Sequence, residues 1–296
     1  MSLDRKHADR TRVGVEWSDD LQAEIVDRLG ELSCLELIPE NFFDNRRPDF
    51  LQALAKANTP VLVHAVEMSI GTTGEFKKEH FEKCKQVLEQ VNTVNFSDHL
   101  CMTEADGIEI GQLTPIPWTK ESVDVVCRNI DRIQSEIKVP FLIENITNRF
   151  LIPDNEMSET DFINTITRRT GCKLLLDVTN VYTNGLNFKF DPYEWIEQID
   201  SQSIEGIHLA GGYFDKDGAL VDSHSRNVFP EVWDIFRFVL SRSNPSDVIV
   251  EWTDECPPLE TVMGDIHKAK DIIREVHEMP SLAYEQNESV VMESAL

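Results

Sequence analysis

The feature that most constrains the fold is an eightfold alternation of short apolar runs with amphipathic segments along the 296-residue chain. Several runs, such as Val61-Leu62-Val63, are continuously apolar, which is typical of parallel strands buried on both faces. The eight predicted strands are Arg12–Glu16, Cys34–Ile38, Pro60–His64, Val94–His99, Val139–Glu144, Lys173–Asp177, Ile204–His208 and Asp247–Glu251. Eight strand–helix units are the number that closes a barrel, so the sequence predicts an α/β fold of that kind.

Segments with the helical period of 3.6 residues lie between the predicted strands. The predicted helices are Asp20–Leu29, Asp49–Ala57, Phe76–Val91, Ser122–Ile137, Ser158–Thr170, Pro192–Ile199, Pro230–Leu240 and Leu259–His277. A doubly wound sheet is the alternative, but it does not require eight units, and the chain has no G-x-G-x-x-G motif. We therefore predict a single (β/α)8 TIM barrel over residues 1–280, followed by a poorly ordered C-terminal tail over 281–296.

Charge and composition exclude several classes of protein. Asp and Glu number 53 against 28 Lys and Arg, so the net charge of −25 repels phosphate backbones and anionic membrane surfaces. We therefore expect neither a nucleic-acid nor a membrane partner. The chain has no apolar run of transmembrane length, its first residues lack a signal-peptide pattern, and its six cysteines are scattered singly. These features predict a cytoplasmic protein with reduced thiols.

Polar residues end or follow seven of the predicted strands. Burying a charged or imidazole side chain at the end of an apolar strand is costly unless the group is paired or binds a metal. In a barrel, such residues converge at the C-terminal mouth, where active sites of this fold lie. The residues predicted to converge there as metal ligands are His64, His99, Glu144, Asp177, His208, Asp222, His224 and Glu251, with Asn180 and Glu40 nearby.

The chemistry of this set predicts a metal centre with more than one ion. Imidazoles and carboxylates without a thiolate suit Fe, Zn or Mn. Eight or nine ligands exceed the need of one ion, so we expect two or three ions, bridged by carboxylates such as Glu144 and Glu251. Glu40 and Asn41 follow the second strand, and Asn145 follows Glu144; we assign these three as candidate catalytic residues that contact the substrate or orient the ligands.

The remaining histidines lie in helical or terminal stretches. They are His7, His80, His267 and His277, and we interpret them as ordinary surface residues. Cys101 follows His99 closely enough to approach the mouth, although a packing role fits it better. The segments Met68–Phe76, Met102–Thr119 and Gly211–Asn227 are long enough to shape a peptide groove as loops at the same end of the barrel.

In combination and in this order, eight segments resemble the DUF692 family, also called the multinuclear non-heme iron-dependent oxidative enzymes. The matching segments are Leu37–Phe42, Val63–Gly71, Phe96–Leu100, Leu142–Asn145, Leu175–Tyr182, Ile207–Gly211, Val221–His224 and Val250–Trp252. They span nearly the whole predicted barrel. One departure is Gly211-Gly212, since many members of the family have a histidine soon after the Ala-Gly that follows the seventh strand.

The resemblance implies a specific activity. It implies a TIM barrel holding two or three iron ions (Fe2+ and Fe3+), with Zn or Mn as alternatives, that uses O2 to oxidise a cysteine or another side chain of a ribosomally made precursor peptide. Carried over position by position, the resemblance implies nine metal ligands: His64, His99, Glu144, Asp177, Asn180, His208, Asp222, His224 and Glu251. The resemblance also implies a small partner protein that presents the leader of the precursor peptide.

Other hypotheses stay open at this point. The same layout resembles the endonuclease-IV-like and xylose-isomerase-like barrels. A zinc-dependent phosphoester hydrolase would use similar strand ends, although such enzymes have a histidine at the position of Asn180, and the net charge of −25 disfavours DNA. A sugar isomerase typically needs a lysine near its metal, and these strand ends offer none. A non-catalytic metal-binding partner protein is a further alternative.

Overall fold

The structure is a computed structural model that describes residues 11–74, 76–253 and 255–278. It contains a closed barrel of eight parallel strands in the order β1-β12-β9-β8-β7-β4-β3-β2. These strands are β1 (Arg12–Glu16), β2 (Leu35–Leu37), β3 (Pro60–Ala65), β4 (Asn92–His99), β7 (Phe141–Glu144), β8 (Lys173–Asp177), β9 (Ile204–Leu209) and β12 (Asp247–Val250). The predicted (β/α)8 TIM barrel is therefore confirmed. The predicted tail at 281–296 lies outside the described residues.

Nine α-helices of the described ranges surround the barrel. They are α1 (Gln22–Asp27), α2 (Pro48–Ala57), α3 (Lys78–Leu88), α4 (Lys120–Glu136), α5 (Glu159–Thr170), α6 (Val178–Phe188), α7 (Pro192–Gln198), α8 (Pro230–Leu240) and α9 (Leu259–Glu278). Short 3-10 segments follow α1 at Leu29–Glu31 and β2 at Pro39–Asn45. The apolar faces of the helices pack on the outward residues of the strands and form the main core.

Helix α6 is the one helix of the described ranges that the sequence pattern did not predict. It begins directly after β8, capped by Asp177, whose side chain accepts a hydrogen bond from the backbone N–H of Asn180. Its sequence is rich in Asn, Thr and Gly, which are weak helix formers. Most of its residues are buried, so tertiary packing stabilises a helix that local propensity does not favour.

Two antiparallel hairpins occupy segments that were predicted to be loops. One is formed by β5 (Met102–Ala105) and β6 (Ile108–Thr114), and the other by β10 (Gly212–Phe214) and β11 (Leu220–Asp222). The first follows β4 and the second follows β9, so both stand at the C-terminal mouth of the barrel. The mouth therefore has walls built from strand pairs.

The interior of the barrel contains a separate apolar cluster of Cys34, Leu62 and Ile249. Gly206 belongs to the same interior, because an added Cβ there would lie 2.8 Å from Leu175 Cδ1. Side chains alternate between the interior and the helices along each strand. The apolar cluster thus separates a polar layer at the N-terminal end from another at the C-terminal mouth.

Candidate metal centre

Strand register brings polar side chains from all around the barrel to one level at the C-terminal mouth. The residues paired across adjacent strands are Glu16 with Glu36, His99 with Glu144, and Asp177 with His208. His64 lies near the end of β3, and Glu251 directly follows β12. Because neighbouring parallel strands carry these side chains on the inward face, the groups meet at the barrel axis.

Glu144 lies at the centre of the arrangement and contacts three imidazoles. Its Oε2 lies 3.1 Å from Nε2 of His64 and 3.3 Å from Nε2 of His99, and its Oε1 lies 3.0 Å from Nδ1 of His208. His64 Nδ1 also contacts the Ser97 hydroxyl at 2.9 Å, which fixes the orientation of the imidazole ring. The two oxygens of Glu144 therefore contact different imidazoles: Oε2 contacts His64 and His99, and Oε1 contacts His208.

Glu251 joins this centre to the hairpin of β10 and β11. Its Oε1 lies 3.2 Å from Nδ1 of His208, and its Oε2 lies 3.9 Å from Nε2 of His224. His224 Nε2 is 2.9 Å from Oδ1 of Asp222 at the end of β11. Asp222 and His224 are each about one-fifth exposed, whereas His208 is fully buried, so this side of the centre faces the solvent.

Two buried carboxylates of the centre were missed by the sequence analysis. Glu36 Oε2 lies 3.0 Å from Nε2 of His208, and both side chains are fully buried. Glu16 groups with His224 and Glu251 and accepts a hydrogen bond from the Thr253 hydroxyl at 3.2 Å. A carboxylate on the inward face of an apolar strand was the available signal, and Glu16 ends the first run just as Glu251 ends the eighth.

Asp177, Asn145 and Asn180 form a network of buried hydrogen bonds beside the imidazoles. The side chain of Asn145 accepts from the backbone N–H of Asp177 at 3.0 Å and donates to its carbonyl at 2.9 Å. Asn180 donates from its amide to the carbonyl of Asn145 at 3.0 Å, and Thr147 donates to the Asn180 amide oxygen. Asn145 thus holds the end of β8, and with it the carboxylate of Asp177, in position.

The electrostatics of the centre follow from burial and close charges. Burial alone would raise the pKa of Glu144, but the three facing imidazoles outweigh it and hold the pKa of this carboxyl well below its ordinary range. Burial lowers the pKa of His64, but Glu144 outweighs that effect and raises it to about 9. Burial, and then the charge of Glu251, raises the pKa of Glu16 to about 8. The raised pKa of Glu16 reflects the crowding of buried acidic groups, which a bound cation would relieve.

The donor set fits metal ions. Six carboxylates face four imidazoles: Glu16, Glu36, Glu144, Asp177, Asp222 and Glu251 against His64, His99, His208 and His224. Within the described ranges, the ion pairs of these carboxylates go to imidazoles and none to Lys or Arg. The buried oxygens Glu144 Oε2, Asp222 Oδ1 and Glu251 Oε2 contact imidazole nitrogens without hydrogen-bond geometry, so they have no hydrogen-bond partner.

The donors form four overlapping groups of three, each with its ligand atoms within 4.8 Å of one another. The groups are His64-His99-Glu144, Glu144-Asp177-His208, Glu36-His208-Glu251 and Glu16-His224-Glu251. Donor atoms that share an ion about 2.1 Å away lie about 3–4 Å apart, and the imidazole–carboxylate contacts given above, at 2.9 to 3.9 Å, are close to that range. Since each group shares a residue with the next, the arrangement suits more than one ion bridged by carboxylates.

A cleft of 690 Å³ opens from the metal centre to the surface. Its floor includes Glu144, Asp177 and Glu251. Both hairpins, helix α6 and the segment after β7 form its walls, through Gln112, Leu113, Asn148, Arg149, Asn187, Phe188, Leu220 and Val221. A cleft of this size accommodates a few residues of a peptide or a small molecule.

Gly211 and Gly212 have a structural explanation. A Cβ at Gly211 would lie 1.9 Å from the carbonyl oxygen of Arg226, and one at Gly212 would lie 2.3 Å from that of Val221. Neither position tolerates a side chain while the β10–β11 hairpin packs this way. Gly212, where the chain departs from the family pattern, is thus required by the hairpin that carries Asp222.

The structure places Glu40 apart from these four groups. Glu40 groups with His80 and Cys84 outside the barrel, and it accepts a hydrogen bond from the backbone N–H of Val66. The backbone carbonyl of Asn41 accepts from Arg47 at 2.6 Å. His80, interpreted above as an ordinary surface residue, is instead only 15% exposed and lies 2.9 Å from Glu40 Oε1.

Comparison with known proteins identifies related sequences. A family model described as "RiPP precursor modification enzyme MbnB/TglH/ChrH" matches residues 12–274. A UPF0276 protein of Chromobacterium violaceum is 32% identical over 250 residues, covering 84% of this chain and 90% of that protein. A UPF0276 protein of Rhizorhabdus wittichii is 33% identical over 239 residues, covering 80% and 85%.

Solved structures with the same fold are distant in sequence. A D-psicose 3-epimerase from Clostridium cellulolyticum H10 aligns with a TM-score of 0.56 at 12% identity, covering 91% of this chain and all of that one. An L-ribulose 3-epimerase aligns with a TM-score of 0.55 at 12% identity, covering 97% and 98%. At such identity the likeness establishes the barrel and nothing about the substrate.

No helix in the described ranges is both long and apolar enough to cross a membrane.

Proposed function

Since the chain belongs to the MbnB/TglH/ChrH family of enzymes that modify precursors of ribosomally made peptides, we propose that it oxidises a cysteine side chain of such a peptide with O2, using iron ions held at the barrel mouth. The observation that supports this proposal most directly is the contact of one buried carboxylate, Glu144, with three imidazoles beneath an open cleft. A carboxylate with that many partners suits a bridging ligand between ions.

Bound iron would supply a binding site for the thiolate of the substrate and the electrons that reduce O2. The residues proposed to hold it are the nine ligands predicted from the sequence together with Glu16 and Glu36. Asn145 keeps the Asp177 carboxylate in place, and the Ser97 hydroxyl keeps His64 in one ring orientation. Such outer contacts fix the geometry and basicity of the ligands.

The apolar side chains at the rim of the cleft favour a peptide as the substrate. Six of the large apolar side chains exposed in the described residues lie on segments that border the mouth: Ile108, Ile110, Phe150, Leu151, Tyr213 and Phe214. An apolar rim beside a polar centre fits a peptide chain that lies across the opening while one side chain enters the cleft. The net charge of −25 favours a basic leader peptide, or a small leader-binding partner protein with a basic surface.

Metal content decides between this proposal and its rivals. Protein purified without oxygen should contain two or three iron ions per chain by elemental analysis, and Mössbauer spectra should show some of them magnetically coupled. N-acetyl-cysteinamide should add a thiolate-to-iron charge-transfer band, and N-acetyl-serinamide, which lacks the thiol, should not. Zinc alone, persisting after growth with added iron, would overturn the proposal and favour a zinc-dependent phosphoester hydrolase.

Substitutions at the rim of the cleft test the proposed peptide-binding surface. Replacing Phe150 and Phe214 by Ser should weaken binding of a precursor peptide while the iron content stays at the wild-type value, since neither side chain belongs to the metal centre. The matched control is Tyr193→Ser, because Tyr193 is similarly exposed but lies on α7. Equal peptide binding by the wild-type protein, the variant with both Phe150 and Phe214 replaced, and Tyr193→Ser would argue against this binding surface.

A further inference from the structure

We propose that Glu40, His80 and Cys84 form a second metal site, for a single zinc-like cation, outside the barrel. The site is built from helix α3 and from the 3-10 segment Pro39–Asn45 that packs against it. It shares no residue with the four groups at the mouth. The inference therefore does not depend on the identity of the main centre.

The helix supplies two donors from one face. His80 and Cys84 are four residues apart on α3, and residues at that spacing lie one above the other on a helix. Cys84 is fully buried, whereas His80 is partly exposed. The His80 ring lies edge-on to Phe43, with 5.1 Å between the ring centroids, and this contact holds the imidazole over the 3-10 segment.

Glu40 supplies the third donor from the opposite side. Its Oε1 lies 2.9 Å from Nε2 of His80 and accepts the backbone N–H of Val66 at 3.1 Å. Its Oε2 is buried and accepts no hydrogen bond. One ligand atom from each of Glu40, His80 and Cys84 lies within 4.8 Å of the other two. The unpartnered oxygen and the close donors together indicate a place for a cation.

The donors select the kind of cation. A thiolate, an imidazole and a carboxylate are the ligand types of zinc, and three protein ligands leave a fourth position for water. A cleft of 490 Å³ beside the site, bordered by Glu40, His80, Glu67 and Lys77, gives that position access to solvent. Bound there, the cation would tie α3 to the segment that carries Asn41, and so stabilise one side of the mouth.

Cobalt gives this site a signature that the main centre lacks, because the main centre has no thiolate ligand. Titrating the full-length protein with Co2+ should produce a thiolate-to-cobalt charge-transfer band in the near ultraviolet. The band should be lost in Cys84→Ser, with about one fewer cobalt ion bound per chain. It should persist in the matched control Cys101→Ser, since Cys101 is equally buried but belongs to no donor group of the described residues.

His80→Gln provides a second test, which leaves the buried Cys84 side chain unchanged. It should weaken cobalt binding at this site and shift or abolish the same band. Absence of the band in wild-type protein that has bound cobalt at the main centre would overturn the proposal. A band of equal strength in Cys84→Ser would overturn it as well, because another cysteine would then be the ligand.

Discussion

The two ends of the barrel interior meet the cost of burying carboxylates in different ways. At the N-terminal end, Asp247 is buried but accepts two hydrogen bonds from the guanidinium of Arg12, at 2.6 and 3.0 Å, and a third from Asn95 at 3.1 Å. At the C-terminal mouth, Glu144 and Glu251 have only imidazoles as ion-pair partners in the described chain and keep buried oxygens without hydrogen bonds.

The difference distinguishes a carboxylate that stabilises the fold, Asp247, from carboxylates that are available to a ligand, Glu144 and Glu251. The permanently charged guanidinium of Arg12 contacts both oxygens of Asp247 in bidentate geometry, so this carboxylate has its cation within the chain. Imidazoles can give up their protons and bind metals, so the mouth retains donors that a cation can occupy. The apolar cluster of Cys34, Leu62 and Ile249 lies between the two ends and isolates them.

Glu144→Gln should have the largest effect, since it removes the carboxylate that serves two donor groups. We expect loss of bound iron and of all oxygen-dependent activity, measured by elemental analysis and by oxygen uptake. The matched control is Glu205→Gln, on β9 at the opposite end of the barrel, which should keep its iron. Full iron content in the Glu144 variant would contradict the assigned role.

Arg12→Met tests the N-terminal end. It leaves Asp247 buried without a cation, which should lower the free energy of unfolding by about 2–3 kcal/mol, at the low end for a broken buried pair because Arg12 is partly exposed. Denaturant titration measures the change, and the iron content should not fall. Arg28→Met, which breaks exposed ion pairs only, should show no such loss. A variant that lost iron but not stability would reverse the comparison.

Ser97→Ala tests an outer contact at the mouth. Without the hydroxyl that contacts His64 Nδ1, the imidazole is less well oriented, and metal affinity should fall by about 10- to 100-fold. Competition with a chelator measures the affinity. Thr93→Ala on the same strand is the control, because that hydroxyl donates to Leu88 away from the centre. Equal metal affinities of the two variants would show that the Ser97 hydroxyl does not contribute to metal binding.

Glu159 offers a third kind of carboxylate, half-buried and bonded only to neutral donors: Trp195 at 2.9 Å and Asn148 at 3.5 Å. Burial, outweighing these hydrogen bonds, raises its pKa to about 7. Because the folded-state pKa is above the ordinary value, its stabilising contribution is present below about pH 4.5 and is lost as pH rises through about 7, by at most about 1.4 kcal/mol per pH unit. Denaturant midpoints between pH 5 and 8 measure this, and Glu159→Gln should flatten that part of the profile.

Much of the barrel could be predicted because strand signals are local. Short apolar, β-branched runs, several of them continuous, indicated all eight barrel strands, and the observed bounds differ from the predicted ones by at most two residues. The hairpins at the mouth were not predicted, since β6 is largely exposed and its apolar residues Ile108 and Ile110 are not packed in a core. Helix α6 was missed because burial, and not propensity, stabilises it.

The sequence by itself determined the parallel barrel and a polar residue at the end of nearly every strand, because both depend on residue type and spacing. Only the tertiary structure decided which carboxylates meet. Glu36 points to the barrel axis beside His208, while Glu40, four residues later, turns outward to His80. The reason is that facing depends on strand register and on where a strand ends, and a shift of one residue reverses it.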